Sequence, residues 1–581
     1  MLDLIIRNAR IVDGTGAPSF PGDIGVSHGR IEEIGPLQDA IAEREIDARG
    51  AVAAPGFIDI HSHADLAVHL DSHADLLEPL VMQGITTFVG GNCGFSGSLA
   101  AGPHRDKLLT YLENLSGLKM GNSVGWENPA GFMSAMESRG MLLNMALLAG
   151  HGTLRIAASG LVTRLLEDAE QRAMERYLEE SLEQGCLGMS TGLQYFPGLE
   201  SDAAELDGCG KVLARYGGVF TSHLRSYAHT IDLALDEVFA VGRNHGVPIQ
   251  VSHLYWQPYT KGMGALTRAF ARAGSFAYNR LHIPIPIEKT LEAKLKRFDE
   301  AEREGVRVHF DLVPTAQGFT ELFAFLPPYV SEGGKEQALA RLADKAFRVR
   351  VKRDIARTEP AWPHRDGATW SFNYIKMTGW SGLRVMAVAG EANRWMEGKT
   401  FPEIGAATKR HAFDALCDLL IAERGEVMVF HTPTVPDDPF IFRSMRSGFT
   451  HPRSVPATDT ILRPSGRPAH IFYDCFPRFL QVFTRETGLL SLEEAVRKCT
   501  SLPAACMNIP GRGILKKNFA ADIVVFDPDA IATDADFYRP RVHPRGIGHV
   551  FINGTQVVSD GKPVKNALPG NIIRRGQAAR A

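Results

Sequence analysis

Ala53-Pro-Gly-Phe-Ile-Asp-Ile-His-Ser-His-Ala-Asp65 is the stretch that decides how this chain folds. It is apolar for several residues and then abruptly polar, the texture of a strand with a buried body and a functional C-terminal tip. Side chains two apart on a strand point the same way, so His61 and His63 put two imidazoles on one face, half of a metal site. In a parallel barrel such tips converge at the mouth where chemistry is built.

Working outward, apolar strands alternate with helical segments, which argues for βα units, a parallel sheet and an α/β fold. Candidate strands are Phe57–His63, Thr86–Gly91, Asn144–Ala149, Leu187–Ser190, Val219–His223, Ile249–His253, Val306–Leu312, Val427–Phe430 and Val455–Asp459. These are nine candidates for the eight places of a barrel, and the sequence does not say which is accessory. Met174, Leu178 and Leu182 mark a helix at i, i+4, i+8, and Ser491-Leu-Glu-Glu494 is a capping box opening a helix expected to stop near Pro503. Pro-rich and charged stretches at 257–300 and 325–410 fit no βα unit and are expected to be insertions that wall a substrate site.

Both ends of the chain carry short β-type segments with Gly turns, Leu4–Arg7 to Ile34 and Ala521–Phe526 to Val558, and are expected to complete one small β domain. The expected organisation is therefore 1–54 plus 511–565 as the β domain, 55–510 as the barrel, and 566–581 as a tail.

Composition narrows function. The chain has 581 residues, 44% hydrophobic and 22% charged, with a net charge of −3, so a filled globular core is expected and no footprint for nucleic acid or an anionic membrane stands out. A small-molecule substrate is the expectation, with homo-oligomerisation left open. Seven scattered cysteines without a CxxC pair read as reduced thiols, no signal peptide or membrane span is apparent, and a cytoplasmic location is expected.

Three further donors follow apolar runs at predicted strand tips: Cys93 in Gly90-Gly-Asn-Cys-Gly-Phe95, His223 in Phe220-Thr-Ser-His-Leu-Arg225, and His253 in Val251-Ser-His-Leu254. A lone His or Cys there is usually a packed core residue, but barrel topology brings all five tips together. Imidazole with thiolate suits zinc over magnesium or calcium. Asp459, ending the last strand in Pro456-Ala-Thr-Asp-Thr460, is the candidate general base, with an Asx turn or helix cap as its structural alternative. Asp65 reads as a partner orienting a ligand histidine or as a helix N-cap. His69 and His73 read as helix-surface residues, and His151 in Gly150-His-Gly-Thr-Leu-Arg155 is held as a further site candidate. Tyr195 and Arg225, beside the ligands, are the expected substrate-orienting groups, with Tyr255 two residues beyond His253.

These motifs resemble the amidohydrolase superfamily and, within it, the N-acyl-D-amino-acid deacylase (D-aminoacylase) branch. The likeness also runs through Ser190-Thr-Gly-Leu-Gln-Tyr-Phe-Pro-Gly198, Phe476-Pro-Arg-Phe-Leu480 and Ala520-Ala-Asp-Ile-Val-Val-Phe-Asp527. It implies a (β/α)8 TIM-like barrel with a small β-sandwich domain built from both termini, and one or two Zn2+ ions. His61 and His63 would serve one metal subsite and Cys93, His223 and His253 a tighter one. Asp459 corresponds to the catalytic aspartate. The fourth strand, Gly185-Cys-Leu-Gly-Met-Ser-Thr-Gly192, lacks the lysine that many relatives carboxylate to bridge two metals, and Cys93 would take that role.

The departures bear on substrate. Where the branch usually reads His-Lys the chain has His253-Leu254, where it reads Tyr-Pro-Tyr the chain has Val313-Pro-Thr315, and Ser-Asp-Gly becomes Thr458-Asp-Thr460. The first two changes remove a cation and phenolic donors suited to a substrate carboxylate. The expectation is an amide hydrolase acting on an N-acyl or other amide, with carboxylate recognition weakened or moved to Arg225, Arg463 or Arg467. A hydrolase of a cyclic amide, urea or carbamate, and a non-catalytic metal-binding barrel, are the alternatives.

Overall fold

The computed structural model describes residues 1–121, 124–360, 362 and 373–576. Within the stretches singled out above, 361 and 363–372 of the second expected insertion and 577–581 of the expected tail lie outside the described residues.

Eight parallel strands form the barrel in chain order: β1 (Phe57–Asp59), β2 (Ile85–Gly90), β3 (Asn144–Gly150), β4 (Gly188–Gly192), β5 (Val219–His223), β6 (Ile249–Val251), β7 (Val308–Leu312) and β8 (Ser454–Pro456). Closure between β8 and β1 is made just past their ends, by Asp459 N–H donating to His61 O at 2.8 Å and His63 N–H to Thr460 O at 2.9 Å. Ile58, Val89, Leu148, Val219 and Val455, drawn from five strands, share one apolar cluster, as a filled barrel interior requires. The outer layer is equally apolar: Phe57 stacks on Phe476 at 5.4 Å, and truncating such a ring costs about 3–5 kcal/mol.

The ninth candidate strand is the accessory one. Met428–His431 is the middle of a three-stranded antiparallel sheet with Gly318–Glu321 and Leu383–Ala387. It reads like a barrel strand because a segment buried on both faces is continuously apolar whichever sheet it joins. That small sheet lies in the connection between β7 and β8, residues 313–453, so the inserted unit is longer than 325–410. Its own core includes Leu322, Phe325, Leu383, Phe413 and Leu416. The other insertion is shorter than 257–300: helix Glu288–Arg303 is the βα helix before β7, with Phe298 against Phe310 at 4.6 Å.

Helix Asp168–Glu183 buries Met174, Leu178 and Leu182 along one face and opens with a capping box from Glu167 and Glu170. Ser491 caps helix Leu492–Cys499 by accepting from Glu494 N–H at 3.1 Å. This helix ends before Pro503, because a proline ring there clashes with the carbonyl four residues back; the chain breaks at Thr500 and restarts as Ser501–Cys506.

The termini meet in one nine-stranded sheet. Val52–Pro55 pairs antiparallel with Ile523–Phe526, joining strands of residues 2–47 to those of 547–563. Ile6, Ile24, Ile523 and Phe551 share a single core, so neither half buries its apolar face alone.

Candidate metal centre

Six side chains from the ends of β1, β2, β5, β6 and β8 meet at one barrel mouth. One group of ligand atoms within 4.8 Å of one another comes from His61, His63, Cys93 and Asp459, and a second from Cys93, His223 and His253. Cys93 belongs to both: its Sγ lies 3.2 Å from His61 Nε2, 3.7 Å from His223 Nδ1 and 3.6 Å from His253 Nε2. Asp459 Oδ1 is 3.3 Å from Nε2 of both His61 and His63. β1 ends at Asp59, so His61 and His63 lie past the regular ladder, yet their rings come within 5.9 Å.

The rings are oriented from behind, as metal-ligating imidazoles usually are. Asp311 Oδ2 on β7 is 3.2 Å from His61 Nδ1, and Gln194 Oε1 is 2.7 Å from His223 Nε2. With those nitrogens protonated, His61 Nε2 and His223 Nδ1 turn bare lone pairs to the centre. Asp311 also accepts the backbone N–H of His253 at 2.6 Å. Asn92 Nδ2 donates to Val89 O at 2.9 Å and to Ile60 O at 3.3 Å, tying the Cys93 loop to β1. Gly91 has φ +78° and a Cβ there would stand 2.1 Å from Leu148 O, so the turn into Cys93 admits only glycine.

Cys93, His253 and Asp459 have φ of 51°, 32° and 51°, a left-handed conformation costing a non-glycine residue roughly 1–2 kcal/mol. Strain of this kind gathers where surrounding structure holds a side chain for function. Electrostatics single out the same groups. Burial would raise the Cys93 thiol, but the His61 charge and the His223 and His253 bonds hold it well below its usual range. Burial pushes Cys186 and Cys417 up to about 12, which leaves them protonated. Burial also works against ionised Asp459, yet His61 and His63 hold its carboxylate far below the usual range. Burial and then the neighbouring His253 push His223 down to about 4, keeping it neutral. Against the opposing effect of burial, Asp311, Cys93 and Asp459 raise His61, Asp459 and Cys93 raise His63 to about 9, and Cys93 and Asp459 raise His253. A divalent, borderline-soft cation such as zinc would take the place of those protons against the thiolate and carboxylate.

A cavity of about 450 Å³ opens onto the centre, lined by His223, His253 and Asp459 and by Tyr195, Tyr255, Phe319, Thr320, Met377 and His431 among others. The accessory sheet and helix Gly264–Leu281 supply much of its wall. Tyr195 Oη accepts from Thr320 Oγ1 at 3.2 Å, and Tyr255 stacks on Tyr227 at 4.6 Å. Tyr227 Oη donates to Ser252 O at 2.8 Å and accepts Leu224 N–H at 2.9 Å, bracing β5 to β6.

Several expected roles are corrected by position. Arg225 does not line the cavity: it is 3% exposed, pairs with Glu237 at 3.0 Å and donates to Leu199 O and Ser201 O, so its fork holds loops together. His151 is fully buried with Nε2 2.7 Å from Glu205, itself paired with Arg155. Arg463 and Arg467 line a separate crevice, and Arg467 donates to Phe537 O at 2.9 Å. His69 and His73 are buried rather than on a helix surface, His69 packing 6.3 Å from Trp126. Asp65 neither caps a helix nor orients a histidine; it accepts Gly97 N–H at 3.1 Å, pinning the loop after Cys93. Asp311, Gln194, Tyr227 and His431 were not singled out by the sequence.

A model described as the amidohydrolase family matches residues 44–366 and 459–564. N-acyl-D-glutamate deacylase of Alcaligenes xylosoxydans xylosoxydans is 32% identical over 575 residues, covering 99% of this chain and 97% of that protein. D-aminoacylase of the same organism is 29% identical, covering 96% and 94%. A solved structure of N-acyl-D-glutamate deacylase from Bordetella bronchiseptica, complexed with zinc and a phosphonate mimic of the tetrahedral intermediate, superposes with a TM-score of 0.72 at 28% identity over 99% of each chain.

Proposed function

The chain belongs to the amidohydrolase family, and on that premise we propose that it hydrolyses an N-acyl amide bond using a divalent ion, zinc, held by His61, His63, Cys93, His223 and His253, with Asp459 as general base. The reading is carried by one observation: four imidazoles, a thiolate and a carboxylate meet beside a largely apolar cavity.

When bound, the ion supplies Lewis acidity toward the scissile carbonyl and lowers the pKa of a water. The chain's residues do the rest. Asp459 takes the proton of the attacking water on its carboxylate and returns it to the departing amine nitrogen. Asp311 and Gln194 fix the ring orientation of His61 and His223, so the donor atoms need little reorganisation. Tyr195 and Tyr255 on the cavity wall orient the acyl or amine portion, and the apolar lining limits the water that reaches it.

The similar proteins are named for N-acyl-D-amino-acid substrates, and this chain takes a related amide with a neutral, apolar leaving portion. Among the described residues the cavity wall carries no lysine and one arginine, Arg268, whose Nη1 is engaged by Lys376 O at 3.0 Å. Leu254, at the position where the resemblance expects a lysine, lines the same cavity.

The test compares wild type with Asp459→Ala for bound metal and for hydrolysis of a neutral N-acyl amide. Metal retained in both, with turnover of the variant down by about 10²–10⁴, supports the reading. A wild type that takes up no stoichiometric metal, or an unimpaired variant, overturns it.

A further inference from the structure

Helix Gly264–Leu281 turns Arg268, Ser275 and Asn279 inward and leaves its large apolar residues outward, with Arg272 and Arg280 exposed beside them. On the packed side Ser275 Oγ donates to Asp438 Oδ2 at 2.7 Å, Asn279 Nδ2 to Asp438 Oδ1 at 2.7 Å, and Arg268 to Lys376 O. On the outer side Leu266, Ala269, Phe270, Ala273 and Phe276 fall at i, i+3, i+4, i+7 and i+10, which makes a single stripe. Leu266 is 44%, Phe270 66% and Phe276 59% exposed, and Leu281 and Ile283 continue the stripe at 57% and 47%. A globular helix ordinarily turns such a stripe into the core. A contiguous apolar face left outward marks a docking surface.

Two observations say what docks there. From Thr260 to Ile287 the chain contains Lys261, Arg268, Arg272 and Arg280 and no acidic residue, a local charge of +4 inside a chain of net −3; Arg268 is turned inward, and Lys261, Arg272 and Arg280 are exposed. Apolar side chains flanked by cations are the composition of a helix that lies in an anionic lipid interface. Phe270 also lines the cavity, with Thr267 and Ala271 beside it, so the exposed stripe runs into the substrate site. A second copy of the chain related by a two-fold axis would bring this like-charged face onto itself, which disfavours self-association as the cover.

We propose that this face docks the protein on an anionic lipid surface, with the cavity opening toward amphiphilic amides that carry a hydrocarbon chain. The substrate part rests on the amide-hydrolase reading above, whereas the docking part does not. Among the described residues no helix is long and apolar enough to cross a membrane, so the attachment is peripheral. The overall charge balance that gave no sign of a lipid partner conceals this segment.

The experiment is flotation of the full chain with phosphatidylcholine vesicles with and without phosphatidylglycerol, alongside light scattering of the free protein. A Leu266→Ser, Phe276→Ser variant is compared, neither residue lining the cavity. Expected are binding favouring the anionic vesicles by about tenfold or more, its loss in high salt, and its loss in the variant while melting temperature and hydrolysis of a short soluble amide stay unchanged. Absence of vesicle binding, or equal binding by the variant, overturns the proposal. So does a wild-type dimer that the variant splits, which would assign the face to a second copy. A catalytically silent protein that still floats would sink the hydrolase reading and leave the docking intact.

Discussion

Asp311 and His61 meet at 3.2 Å, carboxylate Oδ2 to ring Nδ1, a bond from β7 to the chain just past β1 with both side chains about 1% exposed. It fixes which nitrogen of His61 faces Cys93. It also makes β7, which supplies none of the six converging side chains, part of the site, since the same carboxylate holds the backbone of His253.

Asp311→Asn therefore weakens metal retention without removing a ligand. Affinity measured by competition with a chromogenic chelator is expected to fall about 10–100-fold, with a parallel loss of turnover at limiting metal. Unchanged affinity would show that His61 needs no partner.

On the proposed reading, carboxylate recognition separates this chain from the similar protein named for N-acyl-D-glutamate. A charge-assisted bond to a substrate carboxylate contributes roughly 1.5–3 kcal/mol, or about ten- to a hundredfold in kcat/KM. An N-acyl-D-amino acid and its neutral carboxamide are expected to differ by less than about tenfold. A hundredfold preference for the acid contradicts the neutral reading, and its loss in Arg268→Met would name the cation responsible.

Arg225 belongs to stability rather than substrate binding. Arg225→Met leaves Glu237 charged and buried, which costs about 3–5 kcal/mol in urea unfolding, and adding Glu237→Leu is expected to restore most of it. A rise in KM at full stability would return Arg225 to the substrate.

Glu321 gives a pH signature away from the metal. Burial, opposed by Lys335, pushes its carboxyl from an ordinary 4.5 up to about 7. Between those values the unfolded chain has released a proton that the folded chain still holds, so stability falls as pH rises. Relative to Glu321→Gln, the wild type is expected to lose about 3 kcal/mol between pH 4.5 and pH 7 and to change little above that. Parallel pH profiles for the two proteins would refute this.

The barrel and the convergence of the six side chains were legible because both are written locally. His61, Cys93, His223, His253 and Asp459 each follow an apolar run, and strand ends in a parallel barrel share one mouth. What orients them was not legible. Gln194 is an ordinary polar residue after a strand, and only its distance to His223 gives it a role. Asp311, a carboxylate between Phe310 and Leu312 within an apolar strand, was a signal that went unused. Arg225 misled through adjacency: the chain leaves β5 at His223, and two residues later the side chain serves a different neighbourhood. Val427–Phe430 misled because apolar runs record burial, not strand direction.

Gly56 alone separates Val52–Pro55 of the terminal sheet from Phe57 at the start of β1, and Val52–Pro55 is held by Ile523–Phe526. Ile572–Ile573 lies farther along, paired with β3. A polypeptide still emerging from the ribosome thus carries all six converging side chains before it carries the strand that holds Val52–Pro55 beside β1. On the proposed reading, a chain cut short before Ile523 is expected to retain metal more weakly although it keeps every proposed ligand.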